Sequence, residues 1–230
     1  MSNGMWFERL GPISGVVGWV LSFIVFDLID PAEAEVYADP NLSSGRLLDL
    51  YVANRGPGRL GAQLSLLTAF LLLWFASYVY ARLRRAEGEP GWSSALVLVG
   101  GVVLVGASVL ESGFAYAASE LSAGETDPVV AKFIALWTWN SASLLAPGAT
   151  AVLVGSTFNG FRYGGIPRPL AIFGLVILTL TLGVGGILGA PGLAAALSGI
   201  WMFAAAITLS WIEIRNPRSD HTDASPLGLG

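Results

Sequence analysis

The chain has 230 residues, of which 54% are hydrophobic and 12% charged, with a mean hydropathy of +0.66 and a net charge of −4. A soluble domain carries about 25% charged residues, so this composition excludes an ordinary soluble enzyme and indicates a polytopic membrane protein built as one compact bundle, with no nucleic-acid partner expected. The lack of cysteine excludes disulfides, thiolate metal sites and a cysteine nucleophile, and the only histidine, His221, lies in a polar tail, so neither a metal nor a cofactor is implied.

The expected fold is all-α. Six transmembrane helices are read at about residues 11–29, 60–80, 93–118, 129–158, 170–190 and 193–211, making one domain over 1–214 with a disordered tail at 215–230. The first span follows Trp6, Phe7 and Arg9, which suit an interfacial anchor, and its Gly11, Gly15, Gly18 and Ser22 lie three or four apart, offering one face for close helix packing. A cleaved signal peptide is the rival reading, because Ala32-Glu33-Ala34 imitates a cleavage site; the apolar run before it is too long for a signal core.

Residues 30–59 form the only long loop. Asp30-Pro31-Ala32-Glu33 carries the N-cap, N1 proline and N3 acid of a helix start, and Ser43-Ser44 opens a second short helix closed by Gly56-Pro57-Gly58. Both are expected on the membrane surface or capping the bundle. Arg46, Arg55 and Arg59 face Asp27, Asp30, Glu33, Glu35, Asp39 and Asp49 there, a solvated charge network worth little per pair.

The second span breaks into Arg82, Arg84 and Arg85, the strongest topological mark in the chain, with Trp74, Tyr78 and Tyr80 read as an aromatic belt at that interface. The third span carries Gly101, Ser108, Ser112 and Ala115 on a small-residue stripe and one carboxylate, Glu111. An ionisable group inside an apolar helix points to function, because its charge costs several kcal/mol unless paired, protonated or wet. From the inner end near Ser93, Glu111 stands about 27 Å along the helix, in the outer leaflet.

Pro128 marks entry to the fourth span, whose outer end holds the only lysine, Lys132. Asn140, Ser143 and Pro147 share one face, and Pro147 cannot donate to the Ser143 carbonyl, so a kink is expected there, with Trp137 and Trp139 just outside it. Gly185 and Gly189 form a small-residue pair in the fifth span, and Pro191-Gly192 turns into the sixth. With both termini inside, Arg9, Arg82, Arg84, Arg85, Arg162, Arg168, Arg215 and Arg218 lie on the inner side, against Arg46, Arg55, Arg59 and Lys132 outside, as the positive-inside rule requires.

Three local patterns carry a family resemblance: the acidic loop leading into Arg59-Leu60-Gly61-Ala62-Gln63-Leu64, the Arg82-Leu83-Arg84-Arg85-Ala86-Glu87-Gly88 turn, and Gly164-Gly165-Ile166-Pro167-Arg168-Pro169-Leu170 before a glycine-bearing helix. By order of elements over roughly residues 11–212, the chain resembles six-helix bacterial membrane proteins grouped as a domain of unknown function, departing from them at Pro169. The resemblance implies fold and a multi-pass location in the bacterial inner membrane. It implies no activity and no catalytic residue.

The residues favour a non-enzymatic bundle, either an accessory protein or one holding a lipid or small apolar ligand in an outer-leaflet cavity near Glu111 and the fourth helix. Ligand contacts are expected from Glu111, Ser108, Trp137, Asn140, Ser143 and Pro147. The partners expected are membrane lipids and a homodimer or larger membrane complex. Proton-coupled transport through Glu111 is the first alternative, and an intramembrane hydrolase pairing Glu111 with Asp27 the second. The bland account of Glu111 is an ion pair with Lys132 or with Arg46, Arg55 or Arg59. A retinal protein is excluded because Lys132 lies near a helix end.

Overall fold

In a membrane every backbone N–H and C=O must be satisfied within the protein, which for an apolar chain of this kind means helices. A computed structural model of the protein describes residues 3–25, 35, 39, 41–121, 126–183 and 191–215. The helices are α1 (Asn3–Ile24), α2 (Ser44–Ala53), α3 (Arg55–Glu87), α4 (Trp92–Ser119), α5 (Pro128–Tyr163), α6 (Arg168–Thr181) and α7 (Pro191–Arg215), with no strand among the described residues. Arg55–Glu87, Trp92–Ser119, Pro128–Tyr163 and Leu193–Arg215 are long and apolar enough to cross a membrane; Leu10–Ile24 and Arg168–Thr181 are shorter apolar helices. The chain is therefore a helical membrane protein with four helices of membrane-crossing length in the described residues.

Local chemistry sets the helix ends. Ser43 Oγ accepts the Arg46 N–H and starts α2, as expected. Asp127 Oδ1 accepts from the Val129 N–H at 2.9 Å with Pro128 in the first turn of α5, and Gly164 closes that helix at φ +73°. Boundaries differ from expectation: α5 runs on to Tyr163, past 158, and α7 to Arg215, past 211. Helix α1 begins at Asn3, ahead of Gly11, and runs through Pro12. Gly56-Pro57-Gly58 does not close the surface segment but forms the first turn of α3, where the missing proline N–H costs no helical bond. Helix α3 also continues past Tyr80 to Glu87, because arginine, alanine and glutamate are good helix formers. Helix α5 is continuous through Pro147.

The side chains of Trp6, Phe7, Arg9 and Trp139, the Asp27 and Asp30-to-Glu33 segment, Gly185, Gly189 and the tail lie outside the described residues.

Helix α1 packs on α3, α3 on α4, α4 on α5, α5 on α7, and α7 back on α1, which closes a ring of five; α6 lies outside it against α5 and α7. Small residues let the ring close. A Cβ on Gly11 would stand 2.6 Å from the Tyr78 ring, and one on Gly15 2.7 Å from the Phe75 ring, so the expected small face of α1 is the one that meets α3. Between α4 and α5 the approach is backbone to backbone: a Cβ on Gly100 would be 2.7 Å from the Gly148 carbonyl oxygen. The apolar core of the ring runs through Leu72, Phe75, Val97, Leu153, Trp201 and Leu209. A separate cluster of Leu47, Leu48, Leu50 and Tyr51 seats α2 on Ala118, Leu121, Ala131, Ile134 and Ala135, as an end cap.

The opposite end of the ring is tied by polar contacts. Tyr78 is wholly buried and donates to Glu213 Oε1 at 2.8 Å, so it is not part of an interfacial aromatic belt. Arg82 donates from Nη1 to the same carboxylate at 2.8 Å and from Nε to the Gly165 carbonyl at 2.9 Å, joining α3, α7 and the α5–α6 turn. Glu87 Oε1 and Oε2 each accept at 2.9 Å from the backbone N–H groups of Ser93 and Ser94, capping α4 where Gly91 supplies no side chain. Asn159 of α5, fully buried, donates at 2.9 Å to Ser93 Oγ.

Candidate functional site

The five ring helices do not fill the space between them at the end nearer α2. A cavity of about 340 Å³ remains, walled by Trp19, Ser22, Phe23 and Val25 of α1, Gly61, Ala62, Ser65, Thr68 and Leu72 of α3, and Leu104, Ser108, Glu111, Ser112 and Ala115 of α4; Leu145 and Ala149 of α5 and Ala195, Ala196 and Met202 of α7 complete it. The reason is steric. Where α3, α4 and α7 face one another here, their side chains are mostly glycine, alanine and serine, too short to meet across a five-membered ring.

The wall is mainly apolar, with a polar minority on α1, α3 and α4. On α4, Glu111 and Ser112 lie three and four residues beyond Ser108, so both neighbour it on the side of the helix that lines the cavity. Both serine hydroxyls are used within their own helix: Ser108 Oγ donates to the Leu104 carbonyl at 3.1 Å, and Ser112 Oγ to the Ser108 carbonyl at 2.8 Å. Across from them, Thr68 Oγ1 is buried and has no hydrogen-bond partner among the described residues. An unsatisfied buried hydroxyl costs about 1–3 kcal/mol, a debt that a ligand or a water can relieve. Trp19 Nε1 is buried in the same condition.

Of the side chains expected from sequence to contact a ligand, the structure brings Glu111 and Ser108 into this wall. Asn140, Ser143 and Pro147 do share a face of α5, but it is an exposed one, and Asn140 Nδ2 donates back to the Leu136 carbonyl at 2.7 Å. Their neighbours Leu145 and Ala149 take the cavity positions. Trp137 stacks against Phe114 at 4.6 Å, centroid to centroid, near the α2 cluster. The expected charge partners are placed as follows. Arg46 reaches Glu35 at 3.5 Å, and Arg55 donates to the Leu121 carbonyl at 2.6 Å. Arg59 meets Tyr116 Oη at 2.8 Å and Glu120 at 3.8 Å, while Lys132 Nζ donates to the Leu42 carbonyl at 3.0 Å. Asp27 lies outside the described residues, so the Glu111 and Asp27 pair has one described member.

Sequence reasoning missed Trp19, Ser65 and Thr68. Ser65 and Thr68 are three apart within an otherwise leucine-rich span, a signal of the same kind as Ser108 and Ser112. Among the described residues no three His, Asp or Glu side chains converge as metal ligands would. Comparison with family models, with curated proteins and with solved structures finds no match to this chain.

Proposed function

We propose that the protein is a membrane-embedded binding bundle whose five-helix ring holds one small, largely apolar molecule in the cavity beside Glu111. The observation that carries this reading is the cavity itself. It is of ligand size, at the small end of the roughly 300–1,000 Å³ range of binding pockets, and an apolar wall with a few convergent polar groups is the usual form of such a site. Binding fits the wall better than catalysis, because the Ser108 and Ser112 hydroxyls beside Glu111 give their protons to carbonyls of their own helix rather than to the carboxylate that would have to act as their base. In this proposal the chain crosses a bacterial inner membrane six times with the Arg82 end and both termini cytoplasmic, as its arginine distribution and its resemblance to six-helix membrane proteins suggest.

Titration of the protein in nanodiscs with 1-adamantanol, a compact apolar cage with one hydroxyl, tests the proposal through tryptophan emission, since Trp19 lines the cavity. A saturable change is expected, lost in Trp19→Phe and in Ser65→Phe, which fills the cavity from α3. A change that persists undiminished in Ser65→Phe would overturn the proposal.

A further inference from the structure

We infer that the outer surface of the bundle at its Arg82 end holds an anionic diacyl phospholipid, with the phosphate between Arg162 and Arg168 at the α5–α6 turn and hydrocarbon along the exposed face of α6. This surface is separate from the cavity, and its failure would leave the reading of the cavity standing.

Placement is the first ground. The chain reverses between α5 and α6 over residues 164–167, and the two helix ends touch, since a Cβ on Gly160 would lie 2.6 Å from Ile166 and 2.8 Å from Ala171. Arg162 follows Gly160 by two residues and Arg168 precedes Ala171 by three, so one short turn carries both, and both are exposed. Exposed aromatic rings set the depth. Trp92 and Phe158 meet at 4.6 Å, Phe158 and Tyr163 at 6.3 Å, and the Arg162 guanidinium lies 5.9 Å from the Tyr163 ring centroid. Tryptophan and tyrosine favour the headgroup level of a bilayer, so guanidiniums beside them stand where phosphates lie. Ile172, Leu175 and Val176 follow Arg168 at four, seven and eight residues, an exposed apolar face of α6 with an arginine at its head. A phospholipid has the matching profile, charge at one end and hydrocarbon along the rest.

Charge is the second ground. The acids with described side chains at this end are engaged within the protein: Glu87 accepts from the Ser93 and Ser94 N–H groups, Glu89 pairs with Arg84, and Glu213 with Arg82. Among the described residues no ion pair reaches Arg162 or Arg168. Two guanidiniums on one turn repel each other, and a phosphate between them relieves both, because its oxygens match the fork of N–H donors that each arginine presents. A zwitterionic headgroup brings an ammonium as well, which those same two guanidiniums repel. Net negative charge is therefore what the turn selects.

The test is native mass spectrometry of delipidated protein in detergent, titrated with phosphatidylglycerol and with phosphatidylcholine of the same chains. Wild type should bind its first phosphatidylglycerol roughly tenfold or more tighter than phosphatidylcholine, each arginine near the phosphate contributing about fivefold. Arg162→Gln/Arg168→Gln should lose that preference, while Arg46→Gln/Arg59→Gln, the same change of charge at the α2 end, should keep it. Both arginines are exposed, so the first variant should melt as wild type does; if it does not, Arg168→Gln alone should still lose about fivefold. Glycerol phosphate, the headgroup without its chains, should not displace the lipid at matched concentration. An absent preference in wild type, a preference kept by Arg162→Gln/Arg168→Gln or lost equally by Arg46→Gln/Arg59→Gln, or displacement by glycerol phosphate would each overturn the inference.

Discussion

Arg82 and Glu213 meet at 2.8 Å with their side chains only 16% and 9% exposed, and Tyr78 adds a second donor to the same carboxylate. Removing one member of such a pair strands the other charge, so Glu213→Gln should lower stability by about 3 kcal/mol in detergent unfolding, and adding Arg82→Met should recover part of the loss. A purely additive double variant would contradict the pairing. Glu87 lies beyond the apolar span in the last turn of α3. Burial pushes its carboxyl up, but the N–H groups and hydroxyls of Ser93 and Ser94 outweigh burial and hold it below its ordinary 4.5. A carboxylate whose pKa is depressed on folding stabilises above its unfolded pKa, and that contribution fades as pH falls through the folded value. Wild type should therefore exceed Glu87→Gln in thermal stability at neutral pH, with the gap closing below the ordinary glutamate range; a gap that stays constant with pH would contradict the cap. Neither contact was legible from sequence. Tyr78 and Glu213 are 135 positions apart, and without knowing which helix lies opposite, a tyrosine near an arginine cluster reads as an interfacial ring.

At the scale of elements, glycines decide how closely helices approach, and their surroundings separate two that look alike in sequence. A Cβ on Gly148 would lie 2.6 Å from the Leu104 nitrogen and 2.7 Å from the Gly100 carbonyl oxygen, both backbone atoms unable to rotate away, whereas one on Gly106 meets nothing within 4 Å. Gly106→Ala should be neutral or stabilise by up to about 1 kcal/mol through helix propensity. Gly148→Ala should destabilise by about 1–3 kcal/mol, because overpacking exceeds that gain. Equal effects of the two in thermal unfolding would count against the α4–α5 crossing. Helical spacing found which residues share a face, as with Gly11, Gly15 and Gly18 on α1, but not which way a face turns. Asn140, Ser143 and Pro147 show the difference: spacing groups them correctly, yet the group is exposed and the neighbouring Leu145 and Ala149 look inward.

For the molecule as a whole, composition and span length were enough to read a helical membrane protein, since the bilayer forces that solution on an apolar chain. The arginine asymmetry adds a sidedness that can be measured directly, because a chain without cysteine accepts single reporters. Glu89→Cys should react with an impermeant maleimide only in inverted vesicles and Gly45→Cys only in intact spheroplasts; the reverse pattern would invert the proposed topology. The cavity was legible only as one of its walls, through Glu111 and Ser108, because it exists where five helices separated in sequence close a ring around short side chains. Its occupancy is the central claim. The most direct test is native mass spectrometry of the protein released gently from its own membrane, compared with Ser65→Phe of unchanged melting behaviour. The wild type should carry one small molecule per chain that the filled variant lacks; a bare wild-type chain, or an adduct kept equally by Ser65→Phe, would contradict the account.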